Sequence, residues 1–343
     1  MDYRSLGRTG MKVSVLCLGC MNFGGKTNAE DSYAIIDRAL DAGINFLDTA
    51  NVYSRGRSEE VTGEALKRNG KRDQIVLATK VHGTMDDTDP NYQGNQRRHI
   101  IQQCEASLRR LQTDYIDLYQ IHRPQSDIPI DETLRALDDL IRAGKVRYIG
   151  SSNHSGWAKM RALATSDRLG LNRYVSQQIR YSLLDRVAEN ELMPLGVHEG
   201  VGALIWSPLA SGYLSGKFRG NANAEGTRLG AYCGLDARDN ERTHRIMDTI
   251  DEIAAGRTGA TPAQVALNWL ARKPGVGSII IGARKTEQLE DNLAAATWSL
   301  SDEEMARLDE VSAVEPIYPY DMHRGFTSGR NPDLPNQPRP AEG

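Results

Sequence analysis

The chain predicts an α/β fold: a (β/α)8 TIM barrel with an N-terminal β-hairpin and long loops over its C-terminal mouth. Three observations predict it. Strand-like and helix-like segments alternate from about residue 15 to near residue 300. The strand-like runs number eight, at 15–19, 44–48, 75–80, 115–121, 146–150, 174–178, 202–206 and 278–281. A helix–glycine–strand joint recurs at Gly43, Gly144, Gly200 and Gly275, where glycine supplies the left-handed cap that turns a helix back toward a sheet. Alternating elements with buried parallel strands give either a doubly wound sheet or a closed barrel, and eight units favour the barrel. A Rossmann domain would show GxGxxG after its first strand. Gly19-Cys20-Met21-Asn22-Phe23-Gly24-Gly25 lacks that spacing.

Taken in order, residues 3–13 read as a hairpin around Gly7 and Gly10. Apolar residues recur at three- and four-residue steps over 29–40, 58–67, 99–110, 131–142 and 286–296, which predicts helices there. Thr261-Pro262-Ala263-Gln264 combines an N-cap, Pro at the first helical position and a capping glutamine. Ser301-Asp302-Glu303-Glu304 is a capping box that opens an extra helix after the eighth unit. Residues 81–96, 217–240 and 314–343 are too long or irregular for simple connections, and the first two leave strand tips and would overhang the mouth. One domain is expected over residues 1–315. Residues 316–343 form a C-terminal loop and tail whose extreme end, with prolines at 332, 335, 338 and 340, is expected to be disordered.

Composition narrows the function classes. The chain has 343 residues and net charge −3, with no strongly basic segment, which disfavours nucleic-acid and anionic-membrane partners. No apolar run approaches the ~20 residues of a membrane span, and the N-terminus has no signal-peptide core. Four cysteines are few for a disulfide-built protein, which suggests a reducing, cytoplasmic setting. Cys17 and Cys20 have CxxC spacing, but they fall within a buried strand pattern rather than at a helix N-terminus. These spacings assemble no zinc site, so no metal is expected.

The chemistry concentrates where strands end. Asp48 closes an apolar run, and Tyr53 follows a short polar turn. A phenol has a pKa of roughly 10 in water, so it donates a proton at neutral pH only beside a cation that favours the phenolate. Lys80 ends the third run and His122 follows the fourth. Singly, each is a solvated strand end or turn residue. Four such groups, at or just beyond the same ends of three strand-like runs, would converge on one barrel mouth.

The chain resembles the aldo-keto reductase superfamily over residues 3–315, closest to its bacterial and potassium-channel β-subunit branches. The matching motifs are Leu18-Gly19 with Met21, Asp48-Thr49-Ala50 with Tyr53, Gly63-Glu64-Ala65-Leu66, Lys80, Asp117-Leu118-Tyr119-Gln120-Ile121-His122, Gly150-Ser151-Ser152-Asn153, Gln178 with Tyr181, Trp206-Ser207-Pro208-Leu209, Leu214-Ser215-Gly216-Lys217, and Gly282-Ala283-Arg284 with Gln288 and Asn292. The resemblance implies an NADP(H)-dependent oxidoreductase interconverting a carbonyl and an alcohol, without a metal. Asp48, Tyr53, Lys80 and His122 would form the catalytic tetrad, with Tyr53 as general acid or base. Ser151, Asn153 and Gln178 would hold the carboxamide, and Trp206 would stack on the nicotinamide. Gly19, Met21 and Asp48 are also assigned to the cofactor. Ser207, Pro208, Leu209, Ser211 and Lys217 would wrap the pyrophosphate, and Gly282, Arg284, Gln288, Asp291 and Asn292 would hold the adenosine end. Arg284, with Lys285 adjacent and Thr286 as a helix N-cap, would bind the 2′-phosphate, giving NADPH preference over NADH.

Substrate-pocket candidates are Met21, Tyr53, Tyr92, His122, Trp206, Tyr232 and Tyr318. Asn22, Trp157, Tyr320, Met322 and Phe326 are further candidates. A small-molecule aldehyde, ketone or alcohol is expected, acting on a monomer or small homo-oligomer. Two other readings compete. A barrel metal hydrolase would carry His-x-His after its first strand, where this chain has Cys17-Leu18-Gly19-Cys20. A binding protein on the same scaffold would show no NADPH-dependent turnover.

Overall fold

The structure is a computed structural model that describes residues 1–218 and 240–322. Strands β1 (Tyr3–Ser5) and β2 (Lys12–Ser14) form an antiparallel hairpin in which Tyr3 faces Ser14. Eight parallel strands follow: β3 (Leu16–Gly19), β4 (Phe46–Asp48), β5 (Val76–Val81), β6 (Ile116–Ile121), β7 (Val146–Ser152), β8 (Tyr174–Arg180), β9 (Gly202–Trp206) and β10 (Val276–Ile281). They close in the order β10-β3-β4-β5-β6-β7-β8-β9, so the (β/α)8 barrel expected from the alternation is present. The hairpin plugs its base. Leu6 and Val13 pack with Cys17, Phe46, Val76, Ala78, Leu118 and Leu204 in the barrel interior. Gly7 (φ +57°) is required there, because a Cβ would stand 2.5 Å from the Gly200 carbonyl oxygen.

Around the barrel lie α1 (Ala29–Asp41), α2 (Arg57–Asn69), α3 (Arg97–Leu111), α4 (Ile130–Arg142), α5 (Gly156–Leu169), α6 (Leu192–Glu199), α7 (Glu241–Ala255), α8 (Pro262–Ala271), α9 (Thr286–Ala294) and α10 (Asp302–Val311). The larger apolar cluster fills the layer between strands and helices, with Leu16, Leu18, Leu47, Leu77, Tyr119 and Ile149 facing outward into it. Glycine sets one contact in that layer. A Cβ at Gly63 on α2 would stand 2.5 Å from the Leu111 backbone, so the α2–α3 approach needs no side chain. Gly43, Gly144, Gly200 and Gly275 all have positive φ, as the recurrent joint predicts.

The helix starts follow the sequence signals in two cases and depart in a third. The Thr261 hydroxyl caps α8 by accepting the Gln264 N–H, and Ser301 with Glu304 forms a capping box on α10. Thr286, expected as an N-cap, is the first residue of α9, and Lys285 takes the cap position without a side-chain bond. Instead, the Arg284 N–H donates to Gln288 Oε1 at 2.9 Å, so a glutamine from the first turn satisfies the approach to the helix. β7 and β8 each run two residues beyond the expected strands, to Ser152 and Arg180. Among the described residues, no helix is long and apolar enough to cross a membrane.

Candidate active site

β4 ends in Asp48, and the chain then turns through a short 3₁₀ segment, Tyr53–Gly56. Ser54 (φ 48°) and Arg55 (φ 51°) are left-handed non-glycine residues and Gly56 follows at φ 97°. Such conformations cost about 1–3 kcal/mol each and persist where surrounding structure imposes them. Here the turn brings the Tyr53 hydroxyl back over the mouth. Lys80 lies on β5 with no exposed surface, its ammonium donating to Asp48, to the Thr49 carbonyl at 2.8 Å and to the Tyr53 hydroxyl at 3.3 Å. All three ammonium protons therefore have partners. Burial lowers the Lys80 pKa, but Asp48 and Tyr53 outweigh it and hold the group above the ordinary lysine value. Its charge is thus permanent at working pH.

Asp48 is fixed in turn. Its Oδ2 accepts from Gln120 Nε2 and Gln178 Nε2, each at 2.9 Å. Gln120 carries no role in the sequence reading, yet the two-residue period of β6 puts it on the inward face with Leu118 and His122. That alternation was the available signal. His122 follows β6 and packs edge-on to the Tyr53 ring, with centroids 5.6 Å apart and planes at 85°. Burial, then the charges of Lys80 and Arg123 and the neighbouring His82, lower its pKa to about 2. It is therefore a neutral imidazole that can donate a hydrogen bond but holds no second proton to give. Asp48, Tyr53, Lys80 and His122 come together in one group.

A cleft of about 360 Å³ runs from this group across the mouth to α9. It is lined by the predicted Gly19, Met21, Asp48, Tyr53, Gln178, Trp206, Ser207, Pro208, Leu209, Ser211, Lys217, Gly282, Arg284, Gln288, Asp291 and Asn292. Asn22, a predicted pocket group, lines it too. Lys26, Gly212, Ser215 and Ala263 line it as well, and the sequence assigned none of them to the cofactor or substrate. The connection after β9 is strained, with Ser207 (φ 55°), Ala210 (φ 49°) and Ser211 (φ 62°) all left-handed. The turn uses its own N–H groups internally: Ala210 donates to the Ser207 carbonyl at 2.9 Å, Ser211 to Ser207 Oγ at 3.0 Å and Gly212 to the Leu209 carbonyl at 2.8 Å. Farther along, Lys217 has its pKa lowered by burial and then by Arg284, so two cations share that end of the cleft. Asp291 accepts from the Thr261 hydroxyl and Gln264 Nε2, each at 2.8 Å.

Other predicted residues lie elsewhere. Ser151 is not at the cleft. It faces the helix layer, where it bonds the buried ammonium of Lys159 on α5. Its neighbour Ser152 shares the inward side with Gly150, donating to the Gln178 carbonyl at 3.0 Å. Asn153 (φ 59°) stands at the mouth, bonding the His122 carbonyl at 3.0 Å through Nδ2 and accepting from Trp206 Nε1 at 3.1 Å. Tyr92 packs edge-on to His99 in the loop between β5 and α3 and does not line the cleft. Tyr318 is 80% exposed and does not line it either. Trp157 is exposed on α5, and the Tyr320 hydroxyl donates to Glu191. Tyr232 and Phe326 lie outside the described residues, as does the extreme tail. Cys17 and Cys20 are both buried but point to opposite sides of β3, Cys17 into the barrel and Cys20 toward the helices.

The model of the Aldo/keto reductase family matches residues 15–313. The uncharacterized oxidoreductase YrpG of Bacillus subtilis (strain 168) is 40% identical over 322 residues, covering 91% of this chain and 96% of that protein. The probable voltage-gated potassium channel subunit beta of Arabidopsis thaliana is 36% identical, covering 86% of this chain and 91% of that protein. The versiconal hemiacetal acetate reductase of Aspergillus parasiticus is 34% identical, covering 93% and 99%. A barrel that carries the acid, tyrosine, lysine and histidine at one mouth, matched over most of its length, leaves a single conclusion: the chain belongs to the aldo/keto reductase family.

Proposed function

We propose that this chain is an NADPH-dependent reductase of small-molecule aldehydes or ketones, run in reverse as an alcohol dehydrogenase, with Tyr53 as the general acid or base. Family membership implies an oxidoreductase performing NADP-dependent carbonyl reduction. The assignment to this site is carried by one observation: a buried Lys80 whose ammonium reaches both the Asp48 carboxylate and the Tyr53 hydroxyl.

The residues fit the cofactor. The turn from Ser207 to Ser211 lines the cleft ahead of two cations, Lys217 and Arg284. Lys217 suits the pyrophosphate, and Arg284 suits the 2′-phosphate, which carries close to two negative charges and needs donors when removed from water. Trp206 and Gln178 line the opposite end of the cleft, beside Tyr53. When bound, NADPH supplies the hydride to the carbonyl carbon. As charge grows on the carbonyl oxygen, the Tyr53 hydroxyl donates its proton there. Lys80 stabilises the resulting tyrosinate, because its charge is fixed by Asp48 rather than borrowed from solvent. Neutral His122, edge-on to Tyr53, orients the oxygen by a hydrogen bond. In the reverse direction tyrosinate accepts the alcohol proton.

Asn153 enters with a narrower role than the motif suggests. Both of its Nδ2 protons are engaged, by the His122 carbonyl and by Ser152 Oγ, and Trp206 uses one lone pair of Oδ1. It can accept one hydrogen bond from a carboxamide and donate none. With Ser151 turned away, Gln178 is the predicted carboxamide residue left at the cleft.

The test is a screen of aldehydes, ketones and alcohols against NADPH and NADH with purified protein. Turnover dependent on NADPH supports the reading. Binding of NADPH without turnover of any carbonyl would instead favour a binding protein on this scaffold.

A further inference from the structure

Trp206 stands between two cavities. One is the cleft. The other, about 580 Å³, is lined by Trp206 together with Asn153, Arg180, Val187, Glu191, Ile317 and Tyr320, among others. Among the described residues, Trp206 alone lines both. Arg180 is the last residue of β8 and follows Gln178 by two, so it shares that residue's side of the strand. Its guanidinium carbon lies 5.9 Å from the indole centroid, and Asp185 Oδ1 stands 3.4 Å from its Nε. The edge of the same ring is pinned where Trp206 Nε1 donates to Asn153. An indole N–H only donates and the His122 carbonyl only accepts, so these two bonds fix the Asn153 amide in one orientation. The ring is thus held at its edge, with a cation 5.9 Å from its centroid that lines the second cavity and not the cleft.

We propose that Arg180 is a positioning residue that weakens binding of the oxidised cofactor relative to the reduced one, acting through Trp206. The inference rests on the reading above that the nicotinamide stacks on the cleft side of this ring. The negative face of an aromatic ring attracts a cation within about 6 Å of its centroid. Oxidised nicotinamide is cationic and reduced nicotinamide is neutral. With Arg180 drawing on the π density from outside, a second cation on the inner face gains less from the ring and is repelled across it. The reduced form meets no such opposition. Release of NADP+ after reduction is thereby favoured, and Asp185 tempers the effect by partly neutralising Arg180.

The test is fluorescence titration of NADP+ and NADPH against wild type, Arg180→Met, Arg180→Lys and Asp185→Asn. Arg180→Met should tighten NADP+ by about two- to fivefold, the worth of an exposed cation–π contact, with NADPH unchanged. Arg180→Lys should keep the wild-type ratio. Asp185→Asn, which frees the cation, should shift the ratio the opposite way. Opposite signs are not expected of a merely structural role, and equal changes in both affinities would overturn the proposal. Trp206→Ala separates the two readings. If it binds both cofactors as wild type does, the stacking reading fails and this inference with it. If it weakens both while Arg180→Met leaves the ratio unchanged, only the role of Arg180 is wrong. Should Arg180→Met not fold, Arg180→Lys and Asp185→Asn decide the outcome.

Discussion

The Lys80 ammonium stands 3.3 Å from the Tyr53 hydroxyl and is at the same time paired with Asp48. A lysine with no exposed surface keeps its charge only with partners of this kind, since an unpaired buried ammonium is costly. Asp48 supplies the pairing, and Tyr53 receives its benefit. Each of the first two predictions removes one side of this relationship.

Tyr53→Phe keeps the ring against His122 and deletes the proton donor. General acid catalysis contributes ~10²–10⁴-fold, so carbonyl reduction should fall at least that far while NADPH affinity holds. Steady-state turnover together with cofactor titration checks this. A variant with most of its turnover would show that Tyr53 is not the acid.

Lys80→Met should abolish turnover at neutral pH, because the tyrosinate loses its stabilising charge. It also leaves a buried carboxylate that, among the described residues, keeps Gln120 and Gln178 as its donors. Breaking a buried pair from one side costs roughly 3–5 kcal/mol. The double variant Asp48→Asn/Lys80→Met should recover much of that stability without recovering turnover. Denaturant melts and rates across pH are the measurements. Retained activity with an unaltered pH profile would refute the role of Lys80.

Arg284→Ala should weaken NADPH binding by about 1.5–3 kcal/mol, the scale of a charged hydrogen bond, and leave NADH nearly untouched. Titration of both cofactors against wild type and variant decides it. Equal losses would mean that Arg284 acts on the part the two cofactors share.

Lys159 predicts a pH dependence of stability. It is fully buried, burial lowers its pKa to about 7, and its described partners are Ser151, the Ser176 carbonyl and the Tyr174 ring. The folded value lies below that of the unfolded chain, so between about pH 7 and the ordinary lysine value near 10.5 the unfolded state binds more protons. Stability therefore rises with pH through that window, and the penalty is fully present below about pH 7. Lys159→Met should be more stable than wild type at pH 6, and the difference should shrink as pH rises toward 10. Urea melts at several pH values measure it. Parallel stability curves for the two proteins would show that Lys159 does not titrate as described.

Much of this architecture can be read from local chemistry. Eight apolar runs and four positive-φ glycines at helix ends determine the alternation, and Thr261 and Ser301 announce their helices by cap residues alone. The tetrad is legible because each member sits at or just past a strand end, and parallel barrel strands bring those ends to one mouth. Where the reading fails, the missing information is nonlocal. Ser151 and Ser152 are adjacent hydroxyls, and only the way β7 pairs with its neighbours says which faces the mouth. The β7–β8 register shifts between Ile149 and Gly150, an irregularity with no signature in composition. Tyr92 and Tyr318 sit on long connections whose course depends on packing against distant residues, and neither reaches the cleft. Gln120 was hidden because a strand glutamine has no meaning until Asp48 is seen 2.9 Å away.

By itself, the sequence determined the order of elements, the closed eight-unit barrel and the strand ends from which chemistry is presented. Periodicity and capping act over a few residues, and those are its terms. The tertiary structure alone decided which of two neighbouring serines turns inward, that the His122 imidazole is buried near Lys80 and Arg123, and that the Arg180 guanidinium stands 5.9 Å from the Trp206 ring. Each of these depends on distances between residues far apart in the chain, which exist only once the barrel has closed.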